Sequence, residues 1–358
     1  MPEQHGMAGP RQDSVAQSAR GRLESAQSDA TSSAQMMKII TDSRCTQYAH
    51  PGHPERPERV ARTEEYLRRQ KALPLTWAEP LPVEEASLLR AHAPSLLRRL
   101  REEHVDFDMD TPTYPDIADH AQRSVGGALQ AMRCAVKGER TFSLFRPPGH
   151  HATRDRAMGF CYLNNLAVAT LAARAEGVGR AAVFDFDVHH GNGTEDILLG
   201  RSGCAFFSIH QWPAYPGTGR EHRDNCFNYP VAPSTPREKY REVASEAIEQ
   251  LRAFKPDLIA VSAGFDSYIG DPLCQQRLEI DDFHWIGSRL RELGVPAFSL
   301  LEGGYSDDLP RLIMSYMLGL EGIDLSKAAN LLSKPIATRT GNPTVVDSQM
   351  EPFWGPSF

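Results

Sequence analysis

The sequence predicts an α/β fold, in which a single domain is built on a central, mostly parallel sheet with helices on both faces. Short apolar runs alternate with longer segments of helical period, a pattern typical of βαβ units and parallel sheets. The chain has 358 residues, enough for a large core, and no linker-like composition interrupts residues 37–324. It contains no run of about 18 or more apolar residues, so we expect no membrane span.

Six short apolar runs are the predicted strands. In chain order they are MKIITD, RTFSLF, RAAVFDFDVHH, GCAFFSIHQ, DLIAVSAGFD and VPAFSLLEGGY. Between them lie four segments of helical period, HAQRSVGGALQAMRCAVKG, YLNNLAVATLAARAEG, PREKYREVASEAIEQLRAF and DDFHWIGSRLRELG. Strands separated by helices of this length are expected to pair in parallel.

The last five of these runs place polar residues at or just beyond their carboxyl ends. Ligand sites in parallel α/β sheets lie beyond the carboxyl ends of the strands. We therefore expect these side chains to converge on one site. They are His150 and His151, then Asp185, Asp187 and His189, then Ser208 and His210, then Asp266, and finally Tyr305.

Both ends of the chain are expected to lie outside this domain. Residues 1–35 are rich in Ser, Ala and Gln with almost no large apolar side chain, which predicts a disordered extension. An organelle transit peptide is the alternative, but such peptides are poor in acids, and here acidic residues outnumber the arginines. Residues 325–358 turn polar and proline-rich and are predicted to be a C-terminal tail.

Charge and cysteine content exclude several classes of protein. The formal net charge of −7 argues against direct nucleic-acid binding, because such domains need a basic face. The six cysteines include no C-x-x-C pair, so neither a zinc ribbon nor a disulfide framework is indicated. We expect a reducing, cytoplasmic setting without membrane association, and the sequence leaves the oligomeric state open.

The stretch VFDFDVHHGNG, residues 183–193, breaks a buried strand with ionisable groups. Side chains two apart on a strand share a face, so Asp185, Asp187 and His189 are expected to point the same way. Buried carboxylates need a positive partner, and the stretch contains no Lys or Arg, so a metal cation is favoured. With Asp266 as a third ligand, the set indicates catalytic zinc. The alternative is an internally satisfied hydrogen-bond network at the sheet edge.

Two further motifs supply groups for acid–base and oxyanion chemistry. RPPGHHA predicts a fixed turn that aims His150 and His151, which could serve as metal ligands or as an acid–base pair. Because the Asp-His-Asp set is already available for a metal, the acid–base role is favoured. In LEGGY, paired glycines permit a sharp turn that presents Tyr305, whose phenol could donate to an oxyanion.

Taken together and in order, seven motifs resemble the zinc-dependent histone deacetylase superfamily, which has an arginase-like α/β fold. The match runs from about Met37 to Gly322 and rests on HPGHPERPERV, RPPGHHA, GFCYLNN, FDFDVHHGNGT, YPGTG, SAGFDSYIGDP and LEGGY. The resemblance implies zinc bound by Asp187, His189 and Asp266, with Tyr305 as the hydrogen-bond donor to the transition state. It also makes His151 the main general base and His150 its electrostatic partner, a ranking that the residues alone do not give.

The same resemblance assigns positions around the centre. Asp185 would orient His150, and Asn192 would orient His151; Asn192 stands where nuclear class I enzymes carry Asp, which places this chain nearer the class II-like and bacterial enzymes. Asp185 and Ser208, with backbone oxygens of the zinc-ligand stretch, resemble a structural potassium site. The channel for the acyl-lysine stem is implied to be lined by Gly159, Phe160 and Tyr215, with Asp110 as a rim carboxylate.

Two positions bear on the substrate. Polyamine deacetylases are expected to carry a Glu gatekeeper where this chain has Leu273, and the inactive-like class IIa branch has His where this chain keeps Tyr305. We therefore expect zinc-dependent removal of acetyl or another short acyl group from lysine side chains of proteins or peptides. A deacetylase of acetylpolyamines or other small acetylated amines is the alternative. A non-enzymatic module that reads acyl-lysine is disfavoured, because every catalytic position is intact.

Overall fold

The structure is a computed structural model that describes residues 36–102 and 104–332. The extension predicted for residues 1–35 lies outside the described residues, as do residues 333–358 of the predicted tail. The first part of that tail is helical: Leu325–Ala328 forms a 3-10 turn and Ala329–Leu332 one helical turn. Helical backbone therefore continues past residue 324, where the sequence analysis ended the domain.

Eight strands form one sheet in the described part of the chain, in the order β2-β1-β3-β8-β7-β4-β5-β6. Every pairing is parallel, so the mostly parallel sheet of the prediction is fully parallel. The strands are β1 Met37–Ile40, β2 Leu75–Ala78, β3 Thr141–Ser143, β4 Ala181–Asp185, β5 Cys204–Gln211, β6 Cys226–Val231, β7 Leu258–Ala263 and β8 Ala297–Leu301.

The two strands that the sequence analysis missed, β2 and β6, are the two edges of the sheet. An edge strand has only one neighbour and need not be apolar on both faces, so its sequence lacks the continuous apolar run of a central strand. β2 is half-buried along its length, and β6 contains Pro230, which cannot donate to a ladder.

Ten helices accompany the sheet within the described residues. They are α1 Glu58–Arg69, α2 Glu85–Leu88, α3 Pro94–Glu102, α4 Ile117–Val136, α5 Asn165–Ala175, α6 Asn192–Leu198, α7 Arg237–Phe254, α8 Ile280–Arg291, α9 Leu309–Glu321 and α10 Ala329–Leu332. The four predicted helical segments correspond to α4, α5, α7 and α8. Strands β4, β5 and β7 are buried at every residue, which requires cover on both faces of the sheet. None of the described helices is long and apolar enough to cross a membrane.

The five strands predicted to carry functional residues at their carboxyl ends lie side by side. They are β3, β8, β7, β4 and β5, which occupy consecutive places in the sheet. Because all the strands are parallel, their carboxyl ends meet along one edge. The expected convergence on a single site is therefore a direct result of the strand order.

Strand β4 ends earlier than the sequence predicted. It stops at Asp185, so Asp187 and His189 lie in the following loop rather than on a shared strand face. The Asp185 Oδ1 accepts the Asp187 backbone N–H at 3.0 Å, and the Asp187 Oδ1 accepts the His189 N–H at 2.9 Å. These side chains satisfy backbone donors two residues ahead, which turns the chain away from the ladder. Phe186 still packs inward, against Phe265.

A buried ion cluster fixes the start of α1 against the active-site end of the sheet. Glu55, Arg59 and Arg146 are each 5% exposed or less. Glu55 Oε2 accepts from Arg146 Nη2 at 2.8 Å, and Glu55 Oε1 accepts from Arg59 Nη1 at 3.2 Å. Arg59 Nε also donates to the Gly304 carbonyl at 2.7 Å, directly before Tyr305. One carboxylate therefore balances two buried guanidinium groups.

Replacing Glu55 with Gln is expected to lower the free energy of unfolding by about 3–5 kcal/mol, because it leaves two buried cations without their anion. The matched control is Glu64→Gln, which removes the more exposed pair with Arg68 and should cost about 0.3–0.5 kcal/mol. Urea unfolding followed by tryptophan fluorescence measures both. Equal losses in the two variants would contradict this account of the cluster.

The same cluster predicts how stability depends on pH. Burial is the largest single influence and opposes ionisation of Glu55, but the charge and hydrogen bonds of Arg146 together with the charge of Arg59 outweigh it and lower the pKa of Glu55 below its usual 4.5. Its stabilising contribution is therefore present above the unfolded-state pKa of about 4.5 and is lost as the pH falls through the lower folded-state pKa. We expect Glu55→Gln to flatten the decline of stability on acidification, measured as unfolding midpoints between neutral and acidic pH.

Candidate active site

Three side chains at the carboxyl ends of β4 and β7 form a cluster suited to a metal cation. His189 Nδ1 lies 3.2 Å from Asp187 Oδ1 and 3.1 Å from Asp266 Oδ2. The candidate ligand atoms of Asp187, His189 and Asp266 all lie within 4.8 Å of one another. Ligands on bonds of about 2.0 Å around a tetrahedral zinc ion lie about 3.3 Å apart. The observed spacing therefore fits three zinc ligands, with a fourth position for water or substrate.

Backbone donors hold the two carboxylates of this cluster in place. Asp187 Oδ2 accepts from the Gly303 N–H at 2.7 Å, and Asp266 Oδ1 accepts from the Val188 N–H at 2.9 Å. Both aspartates are fully buried, and among the described residues neither forms an ion pair with a lysine or arginine. Burial and the charge of Asp187 raise the pKa of Asp266 to about 6. The repulsion between these carboxylates is what a cation relieves.

The two tandem histidines have different partners. His150 Nδ1 lies 3.1 Å from Asp185 Oδ2, whereas His151 Nδ1 lies 2.7 Å from the amide oxygen of Asn192. For His150, burial opposes protonation, but Asp187 and Asp185 outweigh it and raise the pKa to about 10. For His151, burial and the charges of His150 and His189 lower the pKa well below its usual value. One ring is thus poised as a cation and the other as a neutral base.

Glu302 holds the turn that carries these histidines, and the sequence analysis did not identify it. Its Oε2 accepts from the backbone N–H groups of Gly149 and His150 at 2.7 and 3.2 Å, and its Oε1 accepts from Ser262 Oγ at 3.2 Å. Glu302 is fully buried, which raises its pKa to about 7. The sequence does contain a signal for this residue, because Glu302 is a charged residue directly after the apolar run VPAFSLL.

A pocket of about 210 Å³ opens onto this cluster. All five residues predicted to line a channel contribute to its wall, namely Gly159, Phe160, Tyr215, Leu273 and Asp110. The wall also includes His150, His151, His189 and Tyr305. Asp187 and Asp266 are fully buried and do not line the pocket. The wall also includes seven residues that were not predicted to line a channel: Pro148, Cys161, Gln211, Ala214, Cys274, Gln275 and Gly303. The predicted convergence of strand ends therefore produces one lined cavity.

Aromatic rings and a glycine narrow this pocket. The Tyr215 ring stands perpendicular to His151 with centroids 5.0 Å apart, and the Phe160 ring lies 5.8 Å from that of Tyr305. Gly159 adopts φ +57°, and a Cβ there would lie 2.6 Å from the His151 ring. Only glycine allows this close approach to the histidine. The result is an apolar channel that suits a methylene chain.

The pocket wall includes the carboxylate of Asp110, and Asp108 lies beside it. Asp110 lines the pocket, and its backbone N–H donates to Asp108 Oδ1 at 3.0 Å. Burial and the charge of Asp108 raise the pKa of Asp110 above its usual value. The guanidinium of the buried Arg59 lies 4.7 Å from the centre of the Tyr305 ring. These two aspartates make this part of the pocket acidic.

Asp185 and Ser208, the predicted potassium ligands, are buried and do not line the pocket. Asp185 and Ser208 are register partners on β4 and β5, and Ser208 Oγ lies 2.9 Å from His210 Nδ1. The structure brings these two residues together, and their potassium role stays a prediction. His190, which the sequence left without a role, has its Nδ1 2.8 Å from Thr218 Oγ1 in the loop that carries Tyr215. It therefore attaches that loop to the end of β4.

Comparison with known proteins decides the family. Residues 53–319 match the family model described as a histone deacetylase domain. The chain belongs to the histone deacetylase family. This confirms the predicted superfamily and the α/β fold, and it makes the protein a deacetylase that hydrolyses amide bonds.

Several relatives of this deacetylase share most of its length. The probable deacetylase of Archaeoglobus fulgidus is 34% identical and is matched over 77% of this chain and 83% of its own. Acetylpolyamine amidohydrolase 2 of Pseudomonas aeruginosa is 34% identical, over 63% of this chain and 72% of its own. The crystal structure of an acetylpolyamine aminohydrolase from Burkholderia pseudomallei aligns with a TM-score of 0.72 at 27% identity, over 79% of this chain and 98% of that one.

Proposed function

We propose that this deacetylase is a zinc-dependent amidohydrolase that acts on small acetylated amines such as acetylpolyamines. Relatives named as acetylpolyamine amidohydrolases support this substrate class better than the protein or peptide acyl-lysine that the sequence alone favoured. One observation carries the chemistry: the Asp187, His189 and Asp266 cluster has zinc-like spacing and adjoins a pocket lined by His151 and Tyr305.

Each residue around the cluster has a separate role in the proposed reaction. A zinc ion held by Asp187, His189 and Asp266 would supply Lewis acidity to the substrate carbonyl and acidify water. His151 donates its Nδ1–H to Asn192, so its Nε2 can accept the proton of the attacking water and return it to the leaving amine. The adjacent His150, paired with Asp185, stabilises negative charge in the centre. The Tyr305 hydroxyl donates to the oxyanion.

The rim and wall of the pocket support a small cationic amine. The apolar wall of Phe160 and Tyr215 accommodates a methylene chain. Asp110, with Asp108 beside it, places negative charge where the distant ammonium group of a polyamine would emerge. The apolar wall would thus contact the methylene chain of a monoacetylated diamine, and the acidic rim would contact its free ammonium group.

Acetyl-lysine in a peptide is a second candidate, favoured by one residue. Leu273 lines the pocket and supplies no carboxylate at the position where a Glu gatekeeper is expected in polyamine deacetylases. A rim carboxylate such as Asp110 can also accept peptide N–H groups. In one candidate function Asp110 binds the ammonium group of an amine, and in the other it accepts peptide N–H groups. A comparison of substrates distinguishes the two.

The deciding experiment compares three substrates on the purified protein: a monoacetylated diamine, an N-acetyl monoamine of equal chain length, and an acetyl-lysine peptide. We expect kcat/KM for the diamine to exceed that for the peptide by about tenfold, or about 1.4 kcal/mol. A chelator should abolish all three activities, and added Zn²⁺ should restore them. Preference for the peptide would support the second candidate, and chelator-insensitive turnover would contradict the zinc proposal.

Asp110→Asn tests the rim separately. We expect kcat/KM for the monoacetylated diamine to fall about fivefold, corresponding to about 1 kcal/mol for a partly exposed charge pair, while the neutral acetyl monoamine changes less than about twofold. High salt should shrink the difference. Asp106→Asn is the matched control, because Asp106 lies in the same loop, is exposed, and accepts the Thr113 N–H. An equal loss on both substrates would contradict the charge interpretation.

A further inference from the structure

A buried aspartate joins two separate parts of the pocket wall. Asp271 lies in the connection between β7 and α8 and is 7% exposed. Its Oδ2 accepts from the Tyr305 backbone N–H at 2.6 Å, and its Oδ1 accepts from the Leu273 backbone N–H at 3.0 Å. Tyr305 follows β8, whereas Leu273 belongs to the same connection as Asp271. One carboxylate thus links the candidate oxyanion donor to the facing wall of the channel.

The arrangement needs a carboxylate rather than another polar group. Tyr305 lies beyond the end of β8, so its buried N–H has no strand partner and requires an acceptor from elsewhere. Each oxygen of Asp271 holds one backbone donor, and an amide side chain would turn an NH₂ group toward one of them. Among the described residues Asp271 forms no ion pair with a lysine or arginine. A buried, unpaired carboxylate is costly to keep, which indicates that its position matters.

We propose that Asp271 is a positioning residue for the deacetylation. By accepting the Tyr305 backbone N–H, it fixes where the Tyr305 hydroxyl lies in the pocket. By also accepting the Leu273 N–H, it fixes Tyr305 relative to the part of the wall that contains Leu273. The inference rests on the oxyanion role proposed for Tyr305. Because a misplacement of about 1 Å can cost about 10²-fold in rate, loss of this hold should act on kcat. Asp271 itself touches neither the metal cluster nor the substrate in this account.

The test is a double-mutant cycle between Asp271→Asn and Tyr305→Phe, with kcat, KM and bound zinc measured for each protein. In the wild-type background we expect Asp271→Asn to lower kcat by about 10- to 100-fold, with KM changed by less than about threefold and zinc content unchanged. In the Tyr305→Phe background the same substitution should cost less than about threefold, because the hydroxyl that it positions is already gone.

Two comparisons separate positioning from simple loss of stability. Asp282→Asn is the matched control: Asp282 is also buried and also accepts a backbone N–H, but it lies in α8 and pairs with Arg237 and Arg241, away from the pocket. It should lower the melting temperature without changing kcat of the folded protein. If Asp271→Asn does not yield folded protein, Asp271→Ala enters the same cycle, since it removes the carboxylate without adding an NH₂ group.

The outcomes separate the two proposals. If Asp271→Asn lowers kcat by the same factor with and without the Tyr305 hydroxyl, Asp271 does not act through Tyr305, and this inference is overturned while the proposed function stands. If Tyr305→Phe alone leaves kcat unchanged, the oxyanion role itself fails. A loss confined to the protein that retains the hydroxyl supports the positioning role, because a general structural defect would appear in both backgrounds.

Discussion

Asp266→Ala is expected to lose bound zinc and, with it, deacetylase turnover. Asp266 Oδ2 lies 3.1 Å from His189 Nδ1 and completes the three-ligand cluster. Removing residues that merely support metal ligands already costs about 10- to 100-fold in metal affinity, so loss of a ligand should cost more than about 100-fold. Without the Lewis acid, several kcal/mol of transition-state stabilisation disappear, so we expect kcat/KM to fall by about 10³-fold or more.

The control for this variant lies at the other end of the same strand. Asp257→Ala changes an exposed aspartate just before β7, whose carboxylate accepts the Arg180 N–H, and should leave zinc content and turnover unchanged. Zinc per chain and competition with a chromophoric chelator measure the affinity. Added zinc should also raise the melting temperature of the wild type but not of Asp266→Ala, since only the former binds it tightly. Stoichiometric, tightly bound zinc in Asp266→Ala would refute the assignment of this ligand.

The place of the site could be predicted from the sequence because a general rule of parallel sheets decides it. Asp185, Asp266 and Tyr305 lie far apart in the chain, but each follows an apolar run. Adjacent parallel strands present such positions along one edge. The five strands that end in candidate residues are consecutive in the sheet. Residues at the carboxyl ends of these strands are therefore close together in the structure.

The support of the site could not be predicted in the same way, because it depends on contacts between distant segments. Glu302 accepts the Gly149 N–H across 153 positions of sequence, and Asp271 accepts the Tyr305 N–H across 34. Each side chain satisfies a backbone donor that lies outside the strand ladder, and no periodicity signals such a need. The early end of β4 at Asp185 has the same origin, since side chains replace the ladder partners of Asp187 and His189.

Substrate class is the point at which the comparisons support the alternative prediction better than the main one. In the sequence, Leu273 favours a peptide substrate, because it lacks the charge expected of a polyamine gatekeeper. The relatives named for acetylpolyamines support the small-amine alternative better. The structure offers a physical reason why one position need not decide: Asp110, with Asp108 beside it, supplies negative charge to the pocket wall from a different segment of chain.

Tyr305→Phe is expected to lower kcat by about 10²- to 10³-fold, or about 2.7–4 kcal/mol, the range for loss of one oxyanion donor. The Tyr305 ring is held between Phe160 and Arg59, with centroid distances of 5.8 and 4.7 Å, and both contacts survive the loss of the hydroxyl. The channel should therefore keep its shape. Because the donor acts on charge that develops only in the transition state, KM should change little and kcat/KM should fall with kcat.

Zinc content and a second tyrosine complete this test. The hydroxyl belongs to none of the three candidate ligands, so Tyr305→Phe should retain stoichiometric zinc, unlike Asp266→Ala. Tyr316→Phe makes the same chemical change at a buried tyrosine whose hydroxyl lies 2.8 Å from Ser299 Oγ in the core, and it should lower stability while leaving kcat within about threefold. A rise in KM at constant kcat for Tyr305→Phe would assign its hydroxyl to substrate binding, because an interaction equally strong in ground and transition states alters affinity alone.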